Sequence, residues 1–112
     1  MGRTTFSGPV RSTAGFEFGS SGTQITSIVK GTVAVDPGSV ADGATLDVDV
    51  TITGAAVGDA VIFHPPEDLA ANLEMVGCWV SAANTVTVRL ANNSGGAIDQ
   101  AEKNWIYVLI SS

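Results

Sequence analysis

Leu46-Asp47-Val48-Asp49-Val50-Thr51-Ile52 and Val86-Thr87-Val88-Arg89-Leu90 decide the fold class. Each stretch puts an apolar residue at every second position. That two-residue period belongs to a strand with one face in a core and the other in water. Working outward, Ile25 to Val35 is rich in Ile, Val and Thr, with Gly31 as a bulge position, and Asp36-Pro37-Gly38 ends it as a turn. Val57 to Phe63 reads as a third strand, stopped by Pro65-Pro66, and Glu67 to Asn72 as one helical turn opened by Pro66. Leu73 to Ala82 is a fourth strand, joined by the tight turn Ala83-Asn84 to the Val86–Leu90 strand. Asn92 to Lys103 is a longer loop. Trp105 to Ile110 is apolar at nearly every position, so it is predicted to be covered on both faces. Short strands separated by frequent turn signals predict an all-β chain, with a β-sandwich or jelly-roll-like body over residues 24–112. Its two sheets would pack inner face to inner face, about 10 Å apart.

Residues 1–23 have no period of either kind, and Gly2, Gly8, Pro9, Gly15, Gly19 and Gly22 break any regular element. Polarity alone would make this a disordered tail. Yet three of the four phenylalanines, Phe6, Phe16 and Phe18, lie in it. Burying each is worth roughly 1.5–3 kcal/mol, so rings of this size belong in pockets. The expectation is an extended N-terminal arm whose rings insert into its own body, a sister subunit or another protein. Folding back as an extra strand on its own sheet is the competing expectation.

The chain has 112 residues, one domain's worth, of which 45% are hydrophobic and 14% charged. Its net charge of −6 opposes binding to phosphate backbones and to anionic membranes, so neither nucleic acid nor membrane is an expected partner. No apolar run approaches the ~20 residues of a membrane-spanning helix. Arg3 and Arg11 are the only charges among the first fifteen residues; after them Lys30, Arg89 and Lys103 stand against all eleven acids. A basic leader on an acidic body suggests two different surroundings.

Chemistry has little to rest on. Cys78 is the single cysteine, so no intrachain disulfide can form, and its apolar flanks Met75-Val76-Gly77 and Trp79-Val80 read as core packing. Asp47 and Asp49 share one strand face about 6.5–7 Å apart, a spacing open to calcium or acid–base work but equally that of a solvent-facing row. His64, near Glu67 and Asp68, could form a weak metal site or simply end a strand. Asn92-Asn93-Ser94 matches a glycosylation sequon and also suits turn chemistry. No nucleophile elbow, phosphate loop, Cys/His cluster or dinucleotide fingerprint occurs, so no enzyme activity, cofactor or metal is expected. Trp79, Trp105 and Tyr107 remain. If Val76, Cys78, Val80, Ile106, Val108 and Ile110 face the core, these three aromatics lie on outer sheet faces as a subunit interface or a sugar platform.

Three further segments carry a resemblance: Gly58-Asp59-Ala60-Val61, then Trp79 through Leu90, then Asn92-Asn93-Ser94-Gly95-Gly96-Ala97. Together they are similar to a β-module recurring in small virion proteins of tailed phages. The opening Arg3-Thr4-Thr5-Phe6-Ser7-Gly8-Pro9-Val10-Arg11-Ser12 resembles the leader of phage capsid decoration (cement) or head-fibre proteins. The likeness spans most of residues 57–110 plus the leader. It implies a protein without catalytic residues on the capsid surface of a virion assembled in the host cytoplasm. Such a protein bridges capsomers of the major capsid protein, often as a homotrimer. On that basis Arg3, Phe6, Val10, Arg11, Phe16 and Phe18 are the expected capsid-binding arm, and Trp79, Trp105 and Tyr107 the expected subunit interface. The alternative expectation is a tail-fibre or receptor-binding module for a host glycan or surface receptor. A small hydrolase or metal enzyme, and a bacterial adhesin or secreted β-domain, are more distant ones.

Overall fold

Eight strands make up the body in a computed structural model that describes residues 2–112; Met1 of the arm lies outside the described residues. They are β1 (Ser27–Val35), β2 (Gly38–Val40), β3 (Thr45–Thr51), β4 (Ala60–His64), β5 (Leu73–Ala82), β6 (Thr85–Asn92), β7 (Ile98–Gln100) and β8 (Lys103–Ser111). Pairing is antiparallel throughout, in sheets ordered β1-β8-β4 and β3-β6-β5 with a β2-β7 ribbon. The pairing is nested: β1 with β8, β2 with β7, β3 with β6. β4 joins the far edge of β8 and β5 forms a hairpin with β6, and the two larger sheets bury their inner faces as the alternation requires. No helix forms among the described residues.

The core follows from register. Val50, Val86, Val88 and Leu90 point inward from one sheet; Val35, Phe63, Trp105 and Leu109 point inward from the other. Val48 faces Val88 and Val50 faces Val86 across β3 and β6, so the alternating stretches of the sequence meet on one buried surface. On the opposite side Gly31 pairs with Tyr107. A Cβ at Gly31 would stand 2.7 Å from the Tyr107 hydroxyl oxygen, so the missing side chain is what lets the ring lie across β1.

Several expectations are corrected. Gly31 makes no bulge, because the β1–β8 register runs unbroken through it. Glu67 to Asn72 forms no helical turn. The Ala70 N–H, which an α-helix would send to the Pro66 carbonyl, donates instead to Gln100 Oε1 at 2.8 Å. Leu69 and Leu73 close simple turns on Pro66 and Ala70, and Asn72 ends the segment at φ 66°. The loop predicted over Asn92–Lys103 contains β7, and the turn at Asp36-Pro37-Gly38 runs straight into β2; each is too short to show a period. Val76 faces outward, because a bulge between Met75 and Gly77 reverses the alternation of β5. The β8 phase is also opposite to the expected one: Trp105 and Leu109 are buried while Ile106 is exposed.

Residues 2–24 contain no strand, and nearly all are exposed. One antiparallel bridge joins Phe16 to Ile25, with N–H to O distances of 2.9 and 2.7 Å. The arm is thus divided. A proximal loop, residues 12–25, is pinned to the start of β1, and residues 2–11 run on beyond it. The radius of gyration is 17.8 Å and the longest dimension 59 Å, against about 13 Å expected for the radius of a fully compact chain of this length.

Candidate interaction surfaces

The two outer faces of the sandwich differ in kind. On β3-β6-β5 the outward row is polar and satisfies itself. Arg89 Nε and Nη2 donate to the two carboxylate oxygens of Asp47 at 2.7 and 3.0 Å. Thr87 Oγ1 donates to Asp49 Oδ1 at 2.6 Å and lies 2.8 Å from Ser81 Oγ. The guanidinium also lies over the Trp79 ring, 5.0 Å from its centroid. The hydrogen bond from Arg89 holds the Asp47 carboxyl below its ordinary range, and the arginine is shifted upward in return. Asp47 and Asp49 are therefore occupied by neighbours. Among the described residues no group of three or more His, Cys, Asp or Glu side chains is placed to hold a metal ion.

The outer face of β1-β8-β4 has the opposite character. Register lines up Ile28 with Ile110 and Ala60, Lys30 with Val108 and Ile62, and Thr32 with Ile106 and His64. Ile28, Ile62 and Ile106 are exposed. A shallow hollow of about 340 Å³ lies among Lys30, Ile62, His64, Ile106, Tyr107 and Val108. Lys30 and His64 are the only charged or titratable groups on this grid. A second hollow of about 330 Å³ lies between the proximal arm loop and β1, lined in part by Val10, Arg11, Phe16 and Ile28.

The residues singled out in the sequence fall into three groups. Arg3, Phe6, Val10, Arg11, Phe16 and Phe18 are all exposed on the arm, and no pocket of the body takes up a phenylalanine ring. Trp79 is on the outer face of its sheet, as expected, with Arg89 stacked on it. Trp105 and Tyr107 are not on an outer face. Trp105 is 1% exposed and packs edge-on to Phe63, with ring centroids 6.2 Å apart. Tyr107 points the same way, half-buried, 6.1 Å from Phe63. Because β8 is apolar on both faces, its own pattern selects no phase. Pairing with β1, whose Val33 and Val35 point inward, fixes it. The Trp105 indole N–H is the one buried side-chain donor without a partner among the described residues.

The remaining motifs are structural. Asn92 is fully buried; its side-chain amide donates to the Val40 and Gly96 carbonyls at 2.8 and 2.7 Å, and its oxygen accepts from the Ser94 N–H at 2.9 Å. The sequon is thus an Asx turn that ties β6 to β2. Cys78 Sγ donates to the Val61 carbonyl at 3.5 Å, closing the seam between β5 and β4, and burial pushes its thiol up from the ordinary value. The apolar grid on β1-β8-β4 was missed by sequence reasoning; its signal was present in the two-faced apolarity of β8. Comparison with protein-family models, curated proteins and solved structures finds no match to this chain.

Proposed function

We propose that this chain is a virion structural protein that decorates and cements the head of a tailed phage, bridging copies of the major capsid protein as a homotrimer. The observation that carries the proposal is the arm. Phe6, Phe16 and Phe18 stand in solvent on a segment bearing Arg3 and Arg11, while residues 24–112 carry three cations against ten carboxylates. An arm whose rings find no pocket on their own body and whose charge differs from it is suited to a separate surface. Phe6 and Val10 seat on the shell, and Arg3 and Arg11 pair with shell carboxylates. Individual arms bind weakly, and several arms on one oligomer act together through high effective concentration. The polar face of β3-β6-β5 stays toward solvent.

A receptor- or glycan-binding module finds support only in Trp79. Its ring carries the Arg89 guanidinium, which a sugar would have to displace. Co-sedimentation with empty shells of its own virus tests the proposal. Saturable binding at a fixed ratio to the major capsid protein, with raised shell stability, is the expected result; a chain left wholly in the supernatant contradicts it.

A further inference from the structure

We infer that the Phe16-Glu17-Phe18 loop of one copy of this chain seats on the outer β1-β8-β4 face of a second copy. The inference adds a contact between copies to the shell-bound function and is testable without any shell.

Three observations converge. First, the face is apolar where the opposite sheet presents a satisfied polar row, and it bears Lys30 and His64 as its only charged or titratable groups. The loop from Ser12 to Ile25 carries Glu17 as its only charge, between two rings. Charge and apolarity are therefore complementary between loop and face. Second, the loop stays at the edge of its own face, beside Ile28, and does not cover the grid around Ile62. The Phe16–Ile25 bridge pins it at the start of β1, leaving Phe16 55% and Phe18 82% exposed.

Third, the areas select a closed ring. Three strands about 4.8 Å apart with three outward positions about 6.7 Å apart give a face of roughly 300 Å². Two phenylalanines at about 150–250 Å² each, scaled by their exposure, add roughly 200–350 Å². One contact of about 500–650 Å² is too small for a stable pair, whereas each copy in a closed ring is held by two such contacts, about 1,000–1,300 Å² together, near the lower edge of a specific interface. Loop-on-face is a contact between two different patches, which closes into a ring when the rotation per copy allows it.

Sedimentation velocity of the purified full-length chain over a concentration series provides the test. A concentration-dependent trimer is expected. Ile62→Asp, on an exposed position, should dissociate it while the circular dichroism spectrum stays unchanged. Glu17→Lys and Lys30→Glu should each weaken association by roughly two- to fivefold per contact, and the double exchange should restore it. A chain that stays monomeric throughout, a trimer that survives Ile62→Asp, or a double exchange that restores nothing overturns the inference. Shell binding by the Ile62→Asp monomer would leave the decoration function standing, so the two can fail separately.

Discussion

Replacing Phe6 with alanine removes a ring that is 66% exposed and lies outside the buried core. Fully burying a phenylalanine is worth roughly 1.5–3 kcal/mol, so covering the exposed two thirds of this one on a shell is worth about 1–2 kcal/mol. Each arm should then bind about 5- to 30-fold more weakly. Where three arms of one oligomer engage together, the losses add to about 3–6 kcal/mol, a fall of roughly 10²- to 10⁴-fold in avidity. Folding stability should change little, because the ring is two-thirds exposed and lies outside the buried core. The assay is a binding isotherm on purified shells by co-sedimentation, with a denaturant melt alongside. Val57→Ala is the matched control, since Val57 is also highly exposed but lies on a body loop. Equal affinity for Phe6→Ala and the parent chain would refute the assignment of Phe6 to shell contact, as would an equal loss in the Val57→Ala control.

Other consequences are local. Asn92→Ala strips three hydrogen bonds from a fully buried side chain, one of them to the Val40 carbonyl, so a denaturant melt should show a loss of about 2–4 kcal/mol; a loss under about 1 kcal/mol contradicts this role. Because Arg89 holds the Asp47 carboxyl below its unfolded value, the pair's contribution is fully present above the ordinary aspartate pKa of about 3.9 and fades as pH falls through the lower folded value. Arg89→Met should return the Asp47 titration, followed by NMR, to that ordinary value; an unmoved titration would mean another cause. The Cys78 thiol, raised by burial, should react with a disulfide reagent at neutral pH far more slowly in the native chain than in the unfolded one, and equal rates would contradict its place in the β4–β5 seam.

The stretches that alternate strictly were legible in full. Leu46–Ile52 and Val86–Leu90 became β3 and β6, each facing the core as its pattern dictates, and Ala83-Asn84 became the turn that joins β5 to β6. The all-β sandwich follows from such stretches. What the pattern could not reveal was decided by tertiary pairing. β8 is apolar on both faces, so its phase came from β1, and Trp105 went into the core instead of onto an interface. β5 changes phase at a bulge, which no period encodes, and β2 and β7 are too short to have one. Gln100 took the backbone donor that would have begun a helical turn near Glu67. Composition set residues 1–23 apart, with three phenylalanines among glycines and serines, and residues 2–24 form no strand and leave those rings exposed. The split of that arm at the Phe16–Ile25 bridge arises from a contact across a loop, and nothing in the spacing announces it.

A reconstruction by electron cryo-microscopy of shells saturated with this chain bears most directly on its proposed role. It should show copies at fixed lattice positions with residues 3–11 laid against the major capsid protein and Phe6 in a shell pocket. Bare shells, or copies attached by the body with residues 3–11 unseated, would contradict it.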